Sequence, residues 1–308
     1  MSTSTTVSAV KKQQGHGALS KHENLIGWAF LSLNLAGYIL FKLIPLIIAL
    51  VLSFCEWNFV SGWEGIRFVG LENYGQLFSD EVFLVSLRNT IFYAIATVPI
   101  AIFIALIFGV ILNDKVYFKS ILRLVFYLPN ISSMVAVSLV WMFLFLPSYG
   151  PINEFLQTIG IANPPRWLNA SSTSLLSIAI VGIWQVLGYN TIIILAGLQG
   201  IPESLYEAAE MDGANAMWKF FKITIPSLSN TLFFLTIISI IRSFQVFTPV
   251  QIMTEGGPGT SSSVIVYYIY TTAFQYNNIG YASSMAWVLF LMVFVFAAAR
   301  MRFANKGD

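Results

Sequence analysis

The stretch from Arg88 to Leu112 reads RNTIFYAIATVPIAIFIALIFGVIL, and its only charge is the arginine at its start. A helix rises about 1.5 Å per residue, so about 20 apolar residues cross the ~30 Å hydrocarbon core of a bilayer. The run is continuously apolar rather than alternating, which favours a helix over a barrel strand. It therefore predicts a transmembrane helix. Working outward, five further runs of this kind lie at about 25–54, 121–146, 174–198, 225–250 and 281–301. The expected fold is all-α: six transmembrane helices within a domain at 25–308, preceded by a polar tail at 1–24. Composition agrees. Of 308 residues, 57% are hydrophobic and 10% charged, with a mean hydropathy of +0.75, too few charges to cover a water-soluble surface.

The first run is too long for the short apolar core of a signal peptide, and no small-residue cleavage site follows it at Cys55-Glu56-Trp57. It is expected to be a retained membrane helix. Lys and Arg in short loops set orientation. With the N-terminus inside, the inner face collects Lys11, Lys12, Lys21, Lys115, Lys119, Arg123, Lys219, Lys222, Arg300, Arg302 and Lys306, while the outer face keeps Arg67, Arg88 and Arg166. The expected outer loops, 55–87, 147–173 and 251–280, are rich in Gly, Asn, Pro and aromatics, with Trp57, Trp63, Trp141 and Trp167 near the outer boundary. Both histidines, His16 and His22, fall in the tail, and Cys55 is the only cysteine. Histidine acid–base chemistry in the apolar body and an intramolecular disulfide are thereby excluded.

The inner loop at 199–224 differs from the rest. Pro202 suits a first helical turn, and Glu203 places negative charge near the positive end of the helix dipole. Leu205, Ala208 and Ala209 share one face. Gly213 can take positive φ and stop the helix. A second short helix is expected from Asn215 to Phe221, with Met217, Trp218 and Phe221 as apolar contacts, and Pro226 opens the fifth span. The first of these helices carries Glu203, Glu207 and Glu210 and no Lys or Arg. Such a helix suits an anionic leaflet poorly, so a docking element for another protein fits better than a connector lying on the membrane.

Glu207-Ala208-Ala209, then Gly213, Ile223 and Ile225-Pro226, resembles the EAA signature of permease subunits of binding-protein-dependent ABC importers, with Ile225 where the family usually has Leu. Ser243-Phe244-Gln245-Val246-Phe247, Thr254 to Thr260, Ile44-Pro45-Leu46 with Leu52-Ser53-Phe54, Gly70 to Tyr74, and Tyr267 to Phe274 with Gly280 to Ser283 are similar to the carbohydrate branch, the maltose and glycerol-3-phosphate permeases. Within it the chain resembles the first of two unlike permeases, without the large external domain of the maltose protein. The resemblance implies the type I ABC importer permease fold in a bacterial cytoplasmic membrane, with both termini cytoplasmic. It implies as partners a second homologous permease in a heterodimer, two copies of a cytoplasmic ABC ATPase, an extracytoplasmic sugar-binding protein, a carbohydrate substrate and the lipid bilayer, and no nucleic acid. Glu207, Ala208, Ala209, Asp212 and Gly213 would couple to the ATPase. No cofactor is expected in this chain, ATP and Mg being bound by the ATPase; the sequence has no G-x-x-x-x-G-K-[ST] phosphate loop.

A sugar site needs aromatic faces and amide or hydroxyl groups. The fourth span offers Trp184, Gln185, Gly188, Tyr189 and Asn190, the fifth Ser243, Phe244, Gln245, Thr248 and Gln251. Polar groups at membrane depth face the protein interior or a wet cavity, near the midplane in transporters. They could equally bond helix to helix. Arg242 could meet an anionic substrate or pair within the protein, and the structural role is preferred. Lys42 can snorkel, and Pro45, Pro99 and Pro129 are expected to bend spans. The turn-rich segment Glu255 to Gly259 either touches the binding protein or is a simple turn. The alternative function is a stand-alone secondary transporter or channel. It predicts carboxylates within the spans, whereas every Asp and Glu here is expected in a tail or loop. An enzyme lacks a constellation to carry chemistry, and a scaffold leaves the polar residues unexplained.

Overall fold

The computed structural model describes residues 21–113 and 118–304. The expected tail before residue 21, with Lys11, Lys12 and His16, lies outside the described residues, as do Lys115 and Lys306. The chain divides into two units, residues 1–51 and 52–308. In the first, α1 (Lys21–Tyr38) passes through a π turn at Ile39–Leu43 into α2 (Ile44–Ser53), within which the unit ends. Pro45 has no N–H, and its ring crowds the preceding turn. The helix answers by widening rather than breaking, the Ile44 N–H donating to the Ile39 carbonyl.

The second unit opens with a two-stranded antiparallel ribbon, β1 (Cys55–Glu56) and β2 (Arg67–Phe68), a small departure from the all-α expectation. The buried Asn73 amide on α3 (Glu72–Leu77) fastens it, donating to the Ser53 and Cys55 carbonyls at 3.0 and 2.9 Å. Then α4 (Glu81–Asn113) runs unbroken through Pro99 and begins seven residues before the expected span. Glu81, expected in a loop, thus sits in its first turn.

The third expected span is not one helix. It consists of α5 (Lys119–Ile131) and α6 (Met134–Leu144), bent by 97°. Pro129 withholds an N–H just before the break, and Ser132 and Ser133 take ψ of 145° and 125°. Eleven helical residues reach only ~16 Å, so α6 cannot cross a membrane by itself.

The expected outer loops hold further helices. After α7 (Pro151–Thr158) comes α8 (Ser174–Gln199), then α9 (Glu203–Met211) and α10 (Ala216–Lys219). A π turn at Phe220–Thr224 precedes Pro226, as another precedes Pro45, and leads into α11 (Ile225–Ser227). The fifth span is α12 (Ser229–Phe244), then non-helical residues 245–247, then α13 (Thr248–Met253). Last come α14 (Ile265–Tyr270) and α15 (Ile279–Ala304). Among the described residues five helices are long and apolar enough to cross a membrane, six if the bent pair counts as one span.

In this unit α8 lies against α4. A Cβ on Gly182 would come 2.1 Å from the Tyr93 hydroxyl, and one on Gly109 2.7 Å from Ile194. Helices in lipid gain no hydrophobic drive toward one another, so small residues at the seam and close contact hold them. Ala105, Leu106, Ile194, Leu198, Leu228 and Leu235 form a core shared by α4, α8, α12 and the turn residue before α12.

One carboxylate binds three helices. Asp80 caps α4, its Oδ1 accepting from the Val82 and Phe83 N–H groups at 2.9 and 3.0 Å. Its Oδ2 accepts the Tyr268 and Tyr281 hydroxyls, each at 2.7 Å, from α14 and α15. Burial by itself raises the Asp80 pKa, but these four hydrogen bonds to the ionised form outweigh it and hold the group below the ordinary carboxylate value. Burial and the Asp80 hydrogen bond push the Tyr268 phenol up. The folded pKa of Asp80 lies below its unfolded value of about 3.9. Its contribution is therefore present above that value and lost as pH falls through the lower folded one. Asp80→Asn is expected to lower the melting temperature of the detergent-purified protein at pH 7 and to flatten its decline between about pH 5 and 3. An unchanged acid limb would separate Asp80 from acid stability.

Candidate functional site

Both helix breaks open onto one cavity of about 410 Å³, within the range of about 300–1,000 Å³ usual for small-molecule sites. One wall is α4, with Tyr93 and Thr97 one helical turn apart. Asn130 reaches it from the end of α5, beside the 97° bend. Gln185 and Asn190 belong to α8, Ser239, Arg242 and Ser243 to α12, Gln245 to the interruption between α12 and α13, and Thr248 to the first turn of α13. Irregular backbone at membrane depth is tolerated where it lines a cavity or is buried in protein. The residues that stop the fifth span are thus the residues that need a cavity beside them.

Five of the eight residues expected along the pathway line it: Gln185, Asn190, Ser243, Gln245 and Thr248. The other three do not. A Cβ on Gly188 would lie 1.8 Å from the Phe126 carbonyl, so this glycine lets α8 touch the backbone of α5. Phe244 is half-buried outside the lining. Tyr189 acts at one remove, its ring centroid 4.5 Å from the Arg242 guanidinium. Trp184 faces Trp141 edge-on at 5.6 Å and also stays out. Sequence reasoning did not place Tyr93, Thr97, Asn130 or Ser239 here. A signal existed for the first two, polar groups at i and i+4 in an apolar run, and for Asn130, an amide next to a helix-breaking proline.

Arg242, preferred above as structural, is a lining residue in the middle of the span Ser229–Met253. It is exposed and lies in the last turn of α12, where the negative end of the helix dipole favours a cation. The Tyr189 ring adds about 0.5–2 kcal/mol. The Ser243 hydroxyl is spent on the Ile240 carbonyl at 2.8 Å. Asn190, only 1% exposed, is different: its Nδ2 has no acceptor in the protein. An amide N–H left unpaired in this way is expensive, and the Asn190 side chain lines the cavity.

The second feature is the knob that follows α8. Pro202 stands at the cap position before α9 rather than inside its first turn. Gly213, at φ 77°, ends α9: its N–H donates to Glu210 and the Ala214 N–H to Ala209, both carbonyls of the last turn. Asn215 caps α10 by accepting from the Trp218 N–H at 2.8 Å. Lys219 pairs with Glu210 across the turn, and the Tyr206 hydroxyl lies 3.0 Å from that of Thr224, at the foot of the fifth span. Of the face expected from Leu205, Ala208 and Ala209, only Ala209 turns inward. Leu205 and Ala208 are exposed, as are Glu207, Asp212 and Gly213, and Met211, Met217, Trp218 and Phe221 stay uncovered beside them.

A bundle of apolar helices around a polar cavity, with an uncovered two-helix knob at its edge, defines a membrane transport protein. The chain belongs to the family of binding-protein-dependent transport system inner membrane components, whose description matches residues 89–305. It is 36% identical over 273 residues to the probable ABC transporter permease protein YurN of Bacillus subtilis, covering 88% of this chain and 93% of that one. It is 35% identical over 295 residues to the lactose transport system permease protein LacF of Rhizobium radiobacter, covering 92% and 97%. In fold it is similar to a chain of a bacterial alginate ABC transporter solved with an alginate pentasaccharide-bound periplasmic protein. That match has a TM-score of 0.81 at 20% identity and covers 92% of this chain and 96% of that one.

Asn190→Leu removes no hydrogen bond internal to the protein. It is expected to shift the melting temperature by no more than about 2–4 °C, yet to raise the KM for transport roughly 2- to 10-fold. Uptake kinetics beside a thermal melt check this; an unchanged KM would leave Asn190 outside the pathway.

Proposed function

We propose that this permease carries a sugar, forming half of a translocation pathway whose other half is a second permease subunit, and that a separate ATPase drives it through the knob at α9 and α10. The observation that carries this reading is the cavity at the two helix breaks, lined by amide and hydroxyl groups with the aromatic ring of Tyr93 among them. That is the chemistry a saccharide needs, ring hydroxyls meeting polar groups and C–H faces meeting aromatic surface. The lactose permease named above is a relative that supports it. The excess of Lys and Arg in the loops shared with the knob supports a cytoplasmic placement for the knob and both termini.

In this reading an extracytoplasmic receptor delivers the sugar, and two ATPase subunits, which bind ATP and Mg, close on nucleotide. Their motion reaches the permease through Glu207, Ala208, Ala209, Asp212 and Gly213. Glu207 offers an unpaired carboxylate to a basic residue, and the uncovered Met211, Met217 and Trp218 offer apolar contact. The rival mechanism, transport driven by an ion gradient, needs a carboxylate at the site. The lining here carries one cation and no Asp or Glu.

Glu207→Lys is expected to abolish uptake, and the ATP hydrolysis stimulated by loaded receptor, while the protein stays in the membrane at wild-type abundance. Normal uptake by this variant, or transport in vesicles devoid of any nucleotide-hydrolysing subunit, would end the proposal.

A further inference from the structure

The cavity has a chemical bias that a neutral sugar leaves unused. Its one charged lining residue is Arg242. The guanidinium sits over the Tyr189 ring, and the ion pairs among the described residues, Arg67 with Glu56 and Lys219 with Glu210, lie elsewhere. A ring covers one face of a guanidinium but leaves the N–H donors in its plane free to point elsewhere. The second element is on α8. Asn190 is almost wholly buried and lines the same cavity. An exposed guanidinium, backed by a ring, thus faces a space whose lining holds no Asp or Glu.

A neutral hydroxyl could accept from the guanidinium, but only an oxyanion also meets its charge. Hydrogen bonds in which both partners are charged are shorter and stronger than neutral ones, and the planar fork of arginine matches carboxylate and phosphate geometry.

We propose that the cargo of this cavity is a saccharide bearing an oxyanion, a uronate carboxylate, a sulfonate or a phosphate ester, held by the Arg242 guanidinium. This rests on the sugar-import reading above and narrows it to an acidic class.

The test is uptake by the complete transporter in membrane vesicles, with its own receptor and ATPase. The probes are three matched pairs: a hexuronate and a hexose disaccharide, a sulfonated and an unsubstituted hexose glycoside, and a hexose phosphate and its hexose. The pair that responds identifies the oxyanion. At least one acidic member is expected to enter roughly tenfold or more faster than its neutral counterpart. Arg242→Gln is expected to lower that acidic-to-neutral ratio by roughly tenfold or more, and Arg242→Lys, which keeps the charge but not the fork, to retain part of it. Because the receptor is the same in every arm, a change in ratio on altering Arg242 belongs to the cavity. Preference for a neutral saccharide, or a ratio unmoved by Arg242→Gln, overturns the inference and leaves sugar import standing. So does an equal fall for both members of a pair, which would assign Arg242 to holding the subunits together. Uptake of amino acids or peptides with no saccharide carried overturns the sugar reading itself.

Discussion

Inside a bilayer the backbone has no water to bond to, and every N–H and C=O of a membrane span must find its partner within the protein. That constraint turns the apolar runs into helices and decides what happens at each proline. Before Pro45 and before Pro226 the helix widens into a π turn, and the ladder continues through Ile44 to Ile39 and through Ile225 to Phe220. Pro99 is absorbed within α4 without a break. Among the described residues the third and fifth spans are interrupted at 132–133 and 245–247, and both interruptions border the same cavity. The site lies where the rule is relaxed, because a polar cavity is what permits it to be relaxed.

The walls around the cavity are set by close approach rather than by hydrophobic drive. Gly182 admits the Tyr93 hydroxyl, Gly109 admits Ile194, and Gly188 brings α8 onto the backbone of α5. A glycine between Leu187 and Tyr189 reads in sequence like part of a pathway, yet its use is to let two helices touch. The same seam holds Asn190 nearly buried, which is what makes its unpaired amide nitrogen costly and therefore informative.

The knob and the cavity are joined by short covalent and hydrogen-bonded steps. From α8, whose middle carries Gln185 and Asn190, the chain passes directly into α9. The contact of Tyr206 with Thr224 then ties α9 to the π turn that precedes α12, and α12 ends in the residues that border the cavity. A load applied to α9 therefore has two routes into the cavity wall, one along each helix. The turn at Gly213, closed by two backbone hydrogen bonds and the Lys219–Glu210 pair, keeps α9 and α10 together as one piece.

Hydrophobicity is additive along a chain, so the apolar runs, the all-α class and the two-helix loop at 199–224 were legible in sequence, and the glycine at 213 announced its own positive φ. The polar residues of the fourth and fifth spans marked the cavity for the same reason, since burying them needs a cause. What depended on the tertiary structure was which face each one presents. Asn190 and its neighbour Tyr189 point to different surroundings, and no periodicity separates them when the whole run is apolar. The 97° bend, the Asp80 link to Tyr268 and Tyr281, and the position of Arg242 over the Tyr189 ring all join residues distant in the chain. Such contacts arise only when helices pack, because their energies belong to pairs and not to positions.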